Sequence, residues 1–218
     1  LTGTPDFNNA DYYFKADDVL VELKILQTEF AQTPGHLEKF NKMMYDWLND
    51  GMLTEAQCIG EEPPPAAFIT AHMQMLREPI QRITNKANKQ IKQTKEKLGL
   101  ATAKGIVLYL IDGFYQAGPD LTITLIGDPL TRHMESVDGY VVFNLRRKIS
   151  IPGDSFDRFF WDPKYRDSDD VKLSEFVNRL GDAWFAYLQE LSGNTFADTI
   201  VNEDPNNTLF SQAKFKNI

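Results

Sequence analysis

The stretch that decides the fold is NNADYYFKADDVLVELK, residues 8–24. Two runs rich in aromatic and β-branched residues, ADYYF (10–14) and VLVELKIL (19–26), flank Lys15-Ala16-Asp17-Asp18. The runs read as a β-hairpin and the four residues between them as its turn. A turn centred on Ala16-Asp17 sets Asp11 opposite Glu22. Directly opposed residues share a face, with Cβ atoms roughly 4.5–5.5 Å apart. Lys24, two residues beyond Glu22, projects to the same side. Val19, Val21, Leu23 and Ile25 point the other way, joined by Tyr12 and Phe14. One face is then a core face, and the other carries two carboxylates and an ammonium.

Two facing carboxylates repel unless something neutralises them. A lysine does part of this and a divalent cation does it better. Oxygen donors suit Mg²⁺ (or Mn²⁺), which keeps waters for a nucleophile and a substrate phosphate. The expected ligands are Asp11, Glu22 and the backbone carbonyl of Leu23. Lys24 stands where it can orient or deprotonate the attacking water, or stabilise charge on a phosphate.

Further along the chain, Thr33-Pro34 is a helix start and Asn49-Asp50-Gly51 a stop, with Leu37, Phe40, Met44, Trp47 and Leu48 at helical spacing between them. EEPPPAA (61–67) is a rigid break. A long helical pattern from about Phe68 to Leu98 contains Pro79, expected to kink or divide it. Ile80, Ile83, Ala87, Ile91, Thr94 and Leu98 form its apolar face, and Gly99 ends it. KGIVLYLIDG (104–113) is apolar on both faces and reads as a central strand. GYVVFNL (139–145) is a second strand. PDLTITLIGDPL (119–130) fits a short helix or a strand. DRFFWDPKYRD (157–167) reads as a packed loop. An amphipathic helix from about Val171 to Leu191 closes at Ser192-Gly193-Asn194, and the last 25 residues look loosely structured.

At 218 residues and 42% hydrophobic, the chain is an ordinary globular protein. No apolar run approaches the ~18–20 residues that span a bilayer. The single cysteine, Cys58, fits a reducing compartment and reads as a packing or loop residue, so a cytoplasmic protein is expected. His36, His72 and His133 lie in no metal-ligand spacing. The net charge of −8 argues against a general nucleic-acid coat protein. It is unevenly spread: residues 77–98 hold seven basic residues against two acidic ones, a net of +5, which leaves −13 elsewhere. Lys86, Lys89 and Lys92 in that segment are candidate phosphate contacts.

Asp11, then Glu22-Leu23-Lys24 on the next strand, followed downstream by NKANKQIKQTKEKLGLATAKGIVLYLIDG (85–113), resembles the PD-(D/E)XK nuclease superfamily, the restriction-endonuclease-like fold. A literal Pro5-Asp6 also precedes the hairpin, but Asp6 lies beyond the paired strands and Asp11 is preferred. The resemblance covers about residues 5–145. It implies an α/β mixed sheet flanked by helices, with a helical insert at 33–79 after the Glu-x-Lys strand, inside a core of residues 1–150. Residues 151–218 form a C-terminal helical extension packed on that core. The helix and strand that normally precede the Asp strand are shortened or absent, and the C-terminal helix is expected to fill the missing place. The resemblance implies that Gln90 supports the site, with Lys92 a looser match; Thr94 stands where one branch of the family carries Tyr. The implied activity is metal-dependent phosphodiester hydrolysis, in DNA ahead of RNA, and a homodimer would suit double-strand cleavage. The rival reading is a catalytically inactive module of the same fold that binds nucleic acid or a partner protein.

Overall fold

A computed structural model describes residues 7, 9–113, 121–127, 134–145, 148–150, 157–196, 199–201 and 214–216. The hairpin forms as β1 (Tyr12–Phe14) and β2 (Val19–Leu26), antiparallel, with Tyr12 opposite Val21. The turn closes through Asp17 N–H donating to the Phe14 carbonyl at 3.1 Å, and Asp18 takes a left-handed conformation (φ 53°). β1 starts two residues later than its apolar pattern suggests.

β2 pairs in parallel with β3 (Lys104–Ile111), which needs a crossover connection. Three helices supply it. α1 (Pro34–Asn49) starts at Thr33, whose hydroxyl accepts from His36 N–H, and Gly51 (φ 69°) follows its end. α2 (Glu55–Cys58) is held by a capping box between Thr54 and Gln57 and carries Cys58 in its only turn. α3 (Ala66–Leu98) is one helix of 33 residues with Pro79 inside it, ending at the left-handed Gly99. Pro79 therefore does not divide it.

β3 pairs in parallel with β4 (Gly139–Asn144), and residues 121–127 of that connection are helical (α4). β4 then pairs antiparallel with β6 (Asp157–Tyr165), which also pairs with the short β5 (Ile149–Ser150). The expected loop at 157–167 is thus mostly a strand in the middle of the sheet. Its Pro163, Asp162 and Lys164 disguise it, because such residues usually mark edges and loops. α5 (Val171–Ser192) follows, capped by Asp170 and closed by Gly193. The last 25 residues contribute two further strands, β7 (Thr199–Val201) and β8 (Lys214–Lys216). The sheet order is β1-β2-β3-β4-β6-β8-β7. The molecule is α/β, with a mixed sheet flanked by helices.

The two faces of the sheet bury different residues, as period-two strands require. Leu20, Leu26, Val107, Tyr109, Tyr140, Val142 and Phe160 pack under α3 and α4. Val19, Val21, Ile106, Leu108, Val141, Phe143 and Trp161 pack against α5. α5 lies close: a Cβ on Gly181 would sit 2.8 Å from the Trp161 ring nitrogen. Both faces of β2 are covered, so the expected division into one core face and one polar face is wrong. Glu22 and Lys24 point under α3, on the same face as Leu20 and Leu26. Tyr12 and Ile25, assigned to the core by alternation, are 53% and 46% exposed, because β1 and β2 lie at the margin of the sheet.

Candidate functional site: a carboxylate–lysine–glutamine cluster

β1 reaches only as far as Val21 on its neighbour. From Glu22 to Leu26, no described strand lies on that side of β2. The chain entering β1 therefore meets backbone groups of β2 that have no ladder partner. Asp11 fills the first of them: its carboxylate accepts from Leu23 N–H at 2.8 Å. In return, Asp11 N–H donates to Glu22 Oε2 at 3.2 Å. These reciprocal bonds bring the two carboxylates to one place at the point where the strands part. Asp11 is exposed, whereas Glu22 is 1% exposed.

Lys24 lies beside Glu22, two residues along the same strand, and forms a charged hydrogen bond with Glu22 Oε1. Its ammonium also donates to Gln90 Oε1 at 2.9 Å. Burial raises the Glu22 carboxyl above its ordinary range; the Lys24 ammonium works against this and the Asp11 charge adds to it.

Gln90 comes from α3, 66 residues from Lys24 in the chain. Its side-chain amide donates to the Asn9 carbonyl at 3.1 Å. One turn further along α3, the Thr94 hydroxyl accepts from Ala10 N–H at 2.7 Å and donates to the Gln90 carbonyl at 2.8 Å. Residues four apart share a helix edge. Gln90 and Thr94 thus grip residues 9 and 10, the link that carries Asp11. In the sequence, Thr94 registered as a member of the apolar helix face and as the absence of a tyrosine; the signal for its role was its spacing from Gln90.

The three candidate phosphate lysines are exposed but point differently. At 3.6 residues per turn, Lys86 lies one turn from Gln90 on the same edge, Lys89 about 100° round the helix and Lys92 about 200° round. Lys92 therefore faces away from the cluster. α5 packs on the opposite face of the sheet from Glu22, so it brings no acidic side chain to the cluster; it touches the hairpin through an Arg179–Asp17 ion pair. His36 and His72, far apart in sequence, meet between α1 and α3 with ring centroids 5.7 Å apart. His133 and Pro5-Asp6 lie outside the described residues.

Among the described residues, no three His, Cys, Asp or Glu side chains cluster as metal ligands. Two carboxylates and a backbone carbonyl still fit Mg²⁺, which takes one or two carboxylates and completes its shell with water and substrate. No family model, curated protein or solved structure matches the chain. The resemblance to the PD-(D/E)XK nucleases rests on these residues and their arrangement.

Proposed function

We propose that this chain is a divalent-metal-dependent nuclease hydrolysing phosphodiester bonds, with DNA as its first substrate. One observation carries the reading: Lys24 links the buried Glu22 to Gln90 across two separate elements, with Asp11 hydrogen-bonded into the same cluster. A protein gains little stability from burying an ion pair, since desolvation offsets the attraction. An acid, a lysine and an amide gathered at an exposed carboxylate suit chemistry better than packing.

The roles follow from position. Asp11 and Glu22 would hold the cation, together with the Leu23 carbonyl. The cation would supply an activated water and charge neutralisation on the phosphate. Glu22 and Gln90 together fix the direction of the Lys24 ammonium. Lys24 can then hold the attacking water or donate to a phosphate oxygen where charge develops. Lys86, on the Gln90 edge of α3, is placed to meet the nucleic-acid backbone.

A second reading has its own support. Glu22 Oε1 is bound by Lys24 and Oε2 by Asp11 N–H, so that carboxylate is satisfied by protein donors alone. This favours a nuclease-like module that binds without cutting. Cleavage assays on supercoiled plasmid, single-stranded DNA and RNA, with Mg²⁺ or Mn²⁺, separate the two. The nuclease reading expects metal-dependent cleavage, falling about a hundredfold or more in both Glu22→Gln and Lys24→Met. Absence of cleavage on every substrate, together with absence of calorimetric metal binding, would leave the binding module.

A further inference from the structure

His36 and His72 share no metal-ligand spacing in the sequence, yet α1 and α3 bring them together. Their ring centroids are 5.7 Å apart and their planes are tilted by 47°. Both side chains are half-buried, and no ring nitrogen of either has a hydrogen-bond partner among the described residues. An ion ~2.0 Å from a ring nitrogen lies roughly 3.2 Å from the centroid of that ring. Two imidazoles on one ion therefore hold their centroids roughly 5.2, 5.5 and 6.4 Å apart at tetrahedral, trigonal and linear angles. The observed separation falls between trigonal and linear, the range of an ion with few ligands.

Met75 supplies a third donor. It is one turn from His72 on the same edge of α3. With His36 it also lines a cavity of about 230 Å³ where α1 meets α3. Met75 thus adjoins His72 along the helix and His36 across the cavity. Among the described residues, no carboxylate or thiol completes a three-ligand set with the histidines. The acid in the cavity wall, Glu78, is shared between Lys39 and Arg82 at 3.4 and 3.7 Å. Imidazole and thioether are neutral, so nothing in the donor set offsets a double charge. Zinc takes nitrogen, thiolate and carboxylate donors, whereas thioether sulfur selects the softer Cu(I). A single charge also costs less beside the Lys39 ammonium, one turn from His36 on α1.

We propose that His36, His72 and Met75 bind Cu(I), and that the ion fastens α1 to α3. The site is separate from Asp11 and Glu22: Met75 and Gln90 are about four turns, roughly 22 Å, apart on α3. It does not depend on nuclease activity.

The probes are cuprous ion and Zn²⁺, each titrated into the full chain under anaerobic conditions. Cu(I) is offered in competition with the coloured chelator bicinchoninate, and thermal shift is read alongside. A Cys58→Ser background removes the one thiol as a rival ligand. The chain is expected to withdraw one equivalent of Cu(I) from the chelator and to gain in Tm, since an ion held only by the folded state stabilises it. His72→Gln should abolish both effects. Met75→Leu keeps the side-chain volume and both imidazoles, and so keeps the fold. It is the deciding variant: Cu(I) should weaken about tenfold or more, the cost that even an outer-shell partner carries, with Zn²⁺ unchanged. No withdrawal of Cu(I) and no rise in Tm, or undiminished retention in His72→Gln, overturns the proposal. Zn²⁺ binding as tight as that of Cu(I), with Met75→Leu affecting neither, overturns the copper assignment.

Discussion

Glu22 and Thr94 are the residues on which the cluster turns. Glu22 sits between Leu20 and Leu26 on a covered strand face, where an apolar side chain would pack without desolvation cost. If the Glu22–Lys24 pair is kept for chemistry, replacing both members should leave the fold intact. Glu22→Leu with Lys24→Met is therefore expected to match or exceed the natural chain in urea resistance while abolishing cleavage. A double variant that unfolds much more easily than the natural chain would make the pair structural. Thr94 gives a complementary test. Thr94→Val keeps the shape but leaves Ala10 N–H buried without an acceptor, at a cost of about 1–3 kcal/mol. Because Ala10 adjoins Asp11, metal affinity should weaken along with stability, and Thr94→Ser should restore both. Calorimetric metal titration beside urea melts separates this positioning role from simple destabilisation, which would leave affinity untouched in the folded fraction.

Between α1 and α3, the relevant contact is a stack of rings. Phe40 and Trp47 of α1 pack on Phe68, and His36 and Phe40 pack on His72. Burial lowers the affinity of both histidines for protons; Lys39 adds to this at His36, and His36 adds to it at His72. A folded pKa below the unfolded value near 6.5 means that stability is fully present above ~6.5 and is lost as pH falls through the folded pKa. Acidification should therefore loosen α1 from α3 before it reaches carboxylates elsewhere. The expected observation is faster protease cutting around 49–55 at pH 5.5 than at pH 7.5. His72→Phe, which suits its Phe40 neighbour, should remove much of that difference; an equal acceleration in the variant would place the pH sensitivity elsewhere.

The molecule as a whole shows which features a one-dimensional pattern carries. Helix starts and stops at Thr33-Pro34, Gly51, Gly99 and Gly193 were legible, because capping is local chemistry. The facing of Asp11 and Glu22 was legible from the turn. Three features were not. β6 is hidden because its buried Asp162 is neutralised by the half-buried Lys164, and a partner two residues away looks like surface charge. The covering of Glu22 depends on α3, a long-range packing event. The clamp of Thr94 on Ala10 spans 84 residues. The basic segment 77–98 shows the same limit: composition gives its charge, but the helix period assigns each lysine a direction. Lys86 lies towards the Gln90 edge, Lys89 about 100° further round, and Lys92 faces away. Against a background of −13 elsewhere, nucleic acid could approach only along such a local stripe. Removing one phosphate contact should lower the slope of log affinity against log salt by about 0.9 on duplex DNA. Lys86→Gln is expected to do so, Lys89→Gln to a smaller extent and Lys92→Gln not at all. Fluorescence anisotropy of labelled duplex in EDTA, over a salt series, reads the three slopes directly. Equal slopes for Lys86→Gln and Lys92→Gln would mean that the charge of the helix, and not the edge beside Gln90, attracts the substrate.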